Sequence, residues 1–132
     1  MSIFITTEKN NKSINVKNVD IYNVVKEAFL TDKGYTSELS KHMSEQVFKT
    51  TNIYNIYNVN SADYEKSFKV DFSLKEDSQN KVNVIVYVKM IYSVILTNLQ
   101  NKVIGGAYDV PITFTVENKE GEWYITEKYE PA

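Results

Sequence analysis

The chain has 132 residues, a net charge of −2 and no cysteine. That length suffices for one domain burying about two thirds of the surface of its unfolded form, and the missing thiols exclude disulfide frameworks, thiol nucleophiles, iron–sulfur clusters and cysteine-ligated zinc. Arginine is absent too, and the 15 basic residues are interspersed with 17 acids, so neither bidentate phosphate recognition nor the basic stripe of a nucleic-acid binder is available.

Richness in Lys, Asn, Ile and Tyr without arginine points to an AT-rich coding genome, as in a low-GC bacterium. No apolar run approaches the ~20 residues that span a bilayer. The first residues carry neither the basic beginning nor the small-residue cleavage site of a secretory leader. The chain reads as cytoplasmic as it stands, and as extracytoplasmic if a leader precedes Met1.

In chain order, residues 1–17 read as an N-terminal arm, with Ile3, Phe4 and Ile5 a short strand or a fraying end. Asn18 is an expected N-cap, with Asp20 in the first turn of a helix whose Ile21, Tyr22, Val25, Ala28 and Phe29 share a face. Gly34 ends it. Thr36 or Ser37 then caps a second helix with Leu39, Met43, Gln46 and Val47 on one side, so that helices occupy 18–50. Residues 50–60 fit either a continuing helix or an irregular strand and are read as a ragged entry into the sheet.

The sheet occupies 64–130. Phe68, Val70, Phe72 and Leu74 alternate with Ser67, Lys69, Asp71 and Ser73, the period of a half-buried strand. Residues 75–80 read as a polar hairpin connection. The β-branched and aromatic run 82–95 is too long for an ordinary strand and suits a strongly bent or bulged one. A loop is expected at Gly105 and Gly106, then a strand in which Val110, Ile112, Phe114 and Val116 alternate with Pro111, Thr113 and Thr115. The turn at Asn118, Lys119, Glu120 and Gly121 leads into a final strand, Trp123 to Tyr129. The outcome is a single α+β domain, 1–132, with N-terminal helices packed on a strongly bent antiparallel sheet of about four strands. Its expected core joins Val25, Phe29 and Leu39 to Phe68, Phe72, Val84, Val86, Val88, Ile112, Phe114, Trp123 and Ile125.

This order of elements, with the closing Val110 to Val116 strand and the Gly121-Glu122-Trp123-Tyr124-Ile125 run, resembles the nuclear transport factor two-like, or SnoaL-like, superfamily of cystatin-like cones. The resemblance covers roughly residues 18–129. It implies helices plugging the concave face of a bent sheet, and it spans isomerases, dehydratases, epoxide hydrolases, lipoprotein accessory domains and conjugation assembly factors, so fold does not choose the function. Enzymes of this fold place an Asp or His base and a Tyr donor inside the cone, which makes Asp109, Tyr108 and Tyr87 the candidate catalytic residues. Against them, Asp109 lies off the alternating face just before Pro111, as a solvated strand-start carboxylate would.

His42 is the only histidine and cannot build a multi-histidine metal site; beside Lys41, Ser44 and Glu45 it reads as part of a solvated face. No paired carboxylates, phosphate-cradling glycine loop or nucleophile elbow is present, and the acids Glu76 and Asp77 have nothing around them that enforces an oxygen cage. No cofactor and no metal is expected. The 10 tyrosines cannot all sit in one core, and exposed tyrosines favour interfaces. The resemblance implies back-to-back pairing of sheets, so Tyr87, Thr113, Thr115 and Tyr124 are the interface candidates for a protein partner or a homodimer. The reading is a non-enzymatic binding or assembly module. The alternative is a binder of a small apolar ligand, or an isomerase- or dehydratase-type enzyme, with its site inside the cone.

Overall fold

The computed structural model describes residues 19–57 and 68–131. Among them are four short helices, α1 (Tyr22–Leu30), α2 (Ser37–Ser40), α3 (Glu45–Lys49) and α4 (Ile53–Ile56). Four strands follow: β1 (Phe68–Val82), β2 (Ile85–Asn98), β3 (Val103–Lys119) and β4 (Glu122–Tyr129). They form one open antiparallel sheet in the order β1-β2-β3-β4, the α+β architecture expected. The arm 1–17, the Asn18 cap and the first residues of the expected sheet, 64–67, lie outside the described residues.

Side-chain alternation decides which face is buried. On β2, Val86, Val88, Met90, Tyr92, Val94 and Leu96 point inward and are buried while their odd-numbered neighbours are not. Antiparallel partners share a face, and Val86 opposes Val116, Val88 opposes Phe114, Met90 opposes Ile112, and Val116 opposes Ile125. The inner face is therefore one apolar surface across three strands. Bulges bend it: Asp77 is extra in β1, Tyr108 and Asp109 together face Ser93, and Ile104 and Thr126 are extra in β3 and β4. Each inserted residue tilts its strand and increases the local twist.

The helices cover this inner face. Val25, Ala28 and Phe29 of α1 are buried, and the Phe29 ring lies 4.9 Å from that of Phe72 and 4.7 Å from that of Tyr92. Three caps start the next helices: the Thr36, Ser44 and Asn52 side chains accept from the N–H of Leu39, Val47 and Tyr54 at 3.2, 3.2 and 3.1 Å. Buried Asn52 also donates from Nδ2 to the carbonyls of Ala28 and Thr31, both at 2.8 Å, fastening α4 to the end of α1. At the far edge Ile125 N donates to His42 O at 2.7 Å, and Ser44 N donates to Ile125 O at 3.1 Å. The α2–α3 junction thereby covers part of the free edge of β4.

Several sequence expectations are corrected. The second helix is two, α2 and α3, because the main chain at residues 42–44 is spent on β4 and Ser44 has to begin a new helix. Helix α1 starts at Tyr22 after an Ile21 that supplies no side-chain cap, so Asp20 precedes its first turn. Residues 75–80 are strand. The turn falls at Asn83, with φ 58°, and Val84, because the main-chain ladder of this edge strand runs past the core with both faces wet and does not require an apolar pattern. Val84, expected in the core, consequently stands 75 % exposed at the hairpin tip. Phe68, Phe72 and Trp123 pack against the core while half-buried; Val25, Phe29, Leu39, Val86, Val88, Ile112, Phe114 and Ile125 are in it.

Gly105 and Gly106 are not a loop either. They lie within β3, and the turn is at residues 99–102, where Asn98 Oδ1 accepts from Gln100 N and Lys102 N at 2.9 Å each. A Cβ on Gly106 would stand 2.6 Å from the Val94 carbonyl oxygen, and one on Gly105 would stand 3.1 Å from the Tyr57 ring. These glycines serve close approach, of strand to strand and of ring to strand.

Candidate functional site

The interior between helices and sheet is filled by Phe29, Leu39, Met43, Met90, Ile112 and Phe114, each essentially without solvent exposure. Besides buried Thr51 and Asn52 at the α3–α4 junction, the polar side chains facing this interior stand at its rim. There Tyr92 OH donates to Glu130 Oε1 at 3.0 Å, while Lys128 Nζ donates to Glu130 Oε2 at 2.6 Å and to the Thr50 carbonyl at 2.5 Å. The Lys128 and Glu130 side chains are only 16 % and 25 % exposed. Burial first, and then the adjacent carboxylate, hold the Tyr92 phenol well above its ordinary value. Such a phenol stays protonated at neutral pH, and the carboxylate is spoken for by the ammonium. The cluster braces the end of β4 against β2 and the α3–α4 junction, beside a cleft of about 530 Å³ lined by Gln46, Thr50, Thr126, Lys128 and Glu130. It is the feature the sequence reading missed. Its long-range bonds join residues 38 and 78 apart in sequence, which carry no shared motif.

Of the candidate catalytic residues, Asp109 and Tyr108 are neighbours in the β3 bulge, and Tyr87 lies toward the other end of the sheet. Asp109 is exposed in the β3 bulge at φ 50°, its N–H donating to Ser93 Oγ at 2.8 Å. Tyr108 beside it is 71 % exposed. Tyr87 stands opposite Thr115, toward the other end of β2. Among the described residues no group of three or more His, Asp or Glu is placed to hold a metal ion.

Tyr87, Thr113 and Thr115, three of the interface candidates, lie on the outer face of the sheet. Tyr87 opposes Thr115, Lys89 opposes Thr113, and Thr113 opposes Tyr129. Along β2 this face carries Ile85, Tyr87, Ile91 and Ile95, interrupted by Lys89, Ser93 and Thr97, and Pro111 extends it onto β3 opposite Ile91. Tyr124, opposite Glu117, sits at its margin with the Lys119 ammonium 4.5 Å from its ring centroid. Tyr35, which donates to the Met43 carbonyl at 2.6 Å, is raised above the usual tyrosine value by burial and then by Tyr124, so part of Tyr124 is already engaged within the chain.

No protein-family model and no curated protein matches the sequence. Among solved structures, the chain is similar to an Ntf2-like potential transfer protein, TraM, from the Gram-positive conjugative plasmid pIP501, at 16% identity and a TM-score of 0.48 over 83% of this chain and 87% of that one. It is also similar to the intermembrane space region of the chloroplast protein ARC6, at 19% identity and a TM-score of 0.47 over 87% of this chain and 98% of that one. The chain itself shows four short helices followed by an open four-stranded antiparallel sheet, an α+β arrangement.

Proposed function

We propose that this chain is a non-enzymatic binding or assembly module that works through the outer face of its sheet, pairing there with a second copy. The observation that carries the reading is the composition of that face. An antiparallel sheet with one face on a core presents polar residues on the other, yet β2 puts Ile85, Tyr87, Ile91 and Ile95 outward, all half-buried, with Lys89 their only charged companion on that strand. Short Ser93, Thr97, Thr113 and Thr115 let a second sheet approach closely. The interior supports the same reading, because it is packed with apolar side chains and the tyrosine at its rim is tied to a carboxylate.

Sedimentation of the full chain tests this. A dimer at micromolar concentration is expected, and Tyr87→Lys should return it to monomer while leaving the melting temperature of the fold within a few degrees of the parent. A chain that sediments as a monomer at the highest soluble concentration would remove the proposal.

A further inference from the structure

The only tryptophan and the only histidine of the sequence line one cleft. It measures about 250 Å³ and lies between the residues leading into α1, the α2–α3 junction and the β3–β4 hairpin. Three constraints build it. Gln79 grips the main chain before α1, accepting from Val19 N at 3.0 Å and donating to Val19 O at 2.7 Å, which fixes Asp20 and Ile21. The bond from Ile125 N to His42 O seats His42 against β4, and the imidazole Nε2 is 3.5 Å from Glu38 Oε2. Trp123 opposes Asn118, two residues before inward-facing Ile125, and so projects to the inner side at the sheet's end.

The lining has a definite chemistry. Asp20 and Glu122 supply carboxylates, among the described residues no lysine lines the cleft, and Ile21 and Val24 make an apolar wall beside the half-buried indole. Among the described residues no aromatic ring or ammonium packs on Trp123, whereas Tyr124 next to it has its Lys119. An aromatic ring within a cleft of negative sign attracts a cation through the ring quadrupole. An apolar wall favours one carried on carbon over a hydrated metal ion. We propose that this cleft binds an organic cation, an alkylammonium or guanidinium head of the kind that ends a lysine or arginine side chain, held against Trp123 between Asp20 and Glu122. The site is separate from the outer face, so it can be occupied in monomer and dimer alike.

Because Trp123 is the only tryptophan, its fluorescence reports the cleft directly. The full chain is titrated at pH 8 and constant ionic strength with tetramethylammonium, with tert-butanol as an uncharged analogue of similar shape, and with a lysine-containing tripeptide blocked at both ends. A saturable change with the two cations and none with tert-butanol is expected. The Asp20→Asn, Glu122→Gln double variant, if it melts with the parent, should bind about tenfold more weakly. Tighter binding of the tripeptide assigns the site to a side chain of a partner protein, and tighter binding of tetramethylammonium to a free amine. A response to tert-butanol equal to that of the cations, a response that never saturates, or an unchanged affinity in the double variant would overturn the proposal.

Discussion

Phe114→Ala is the sharpest test of which face of the sheet is inside. Phe114 is 0 % exposed, sits in the centre of β3 with Val88 on one side and Lys128 on the other, and lies among Ile112, Val116 and Met90. Truncating the ring returns roughly 150 Å² of apolar burial, which at about 25 cal/mol per Å² amounts to ~3–4 kcal/mol. The hole left between two paired strands cannot collapse freely, so the full cost is expected in the range of ~3–5 kcal/mol. For a chain of this size that corresponds to a fall of roughly 10–20 °C in melting temperature. Urea denaturation followed by far-UV circular dichroism reads the free energy, and a thermal melt reads the temperature. Ile91→Ala, at a half-exposed outward position of the adjacent strand, is the control and, made in the Tyr87→Lys chain so that contacts with a second copy do not enter, should cost ~1 kcal/mol or less. If Phe114→Ala melted within a degree or two of the parent, or if Ile91→Ala cost more, the assignment of inner and outer faces would be wrong.

Gly106→Ala should destabilise the fold by ~1–3 kcal/mol, since the new Cβ meets a main-chain oxygen of Val94 at 2.6 Å, which cannot yield without spreading the strands. Gly105→Ala should cost less, because its Cβ at 3.1 Å meets a Tyr57 ring that can shift; a reversed order in urea midpoints would refute the close-approach account. Tyr92, with its phenol raised above the ordinary 10.0, binds its proton more tightly folded than unfolded. Its contribution is therefore complete below about pH 10 and is lost as the pH climbs above that value. Tyr92→Phe should flatten the decline in unfolding free energy between pH 9 and pH 11, with Tyr35, also raised, supplying the residual slope; identical slopes in the two proteins would remove the argument.

The outer-face reading and the rim cluster differ in how far they were legible. Tyr87, Thr113 and Thr115 could be put on one face from the sequence because alternation along a strand is a local property, visible without knowing the neighbouring strand. The Tyr92–Glu130–Lys128 arrangement could not, because Lys128 and Glu130 sit at the end of the last strand and reach a tyrosine and a carbonyl that only the closed fold brings near. The same distinction separates Phe114 from Trp123. Both read as core aromatics, yet Phe114 is in mid-sheet under the helices, whereas Trp123 lies one residue past the hairpin, where the helical cover ends and a cleft begins.

What the amino-acid order determined by itself was the class of each element with a clear period: α1 from Val25, Ala28 and Phe29, β2 from its even-numbered apolar residues, and β3 from Ile112, Phe114 and Val116. Hydrophobic periodicity suffices there because one face is sealed from water and the other is not. The tertiary structure alone decided where the strands end, that Gly105 and Gly106 lie inside one of them, and that the second helix breaks at Met43. Those features depend on main-chain bonds and close approach between segments distant in sequence. Backbone N–H and C=O groups are the same in every residue but proline, so side-chain pattern carries little information about which of them will meet.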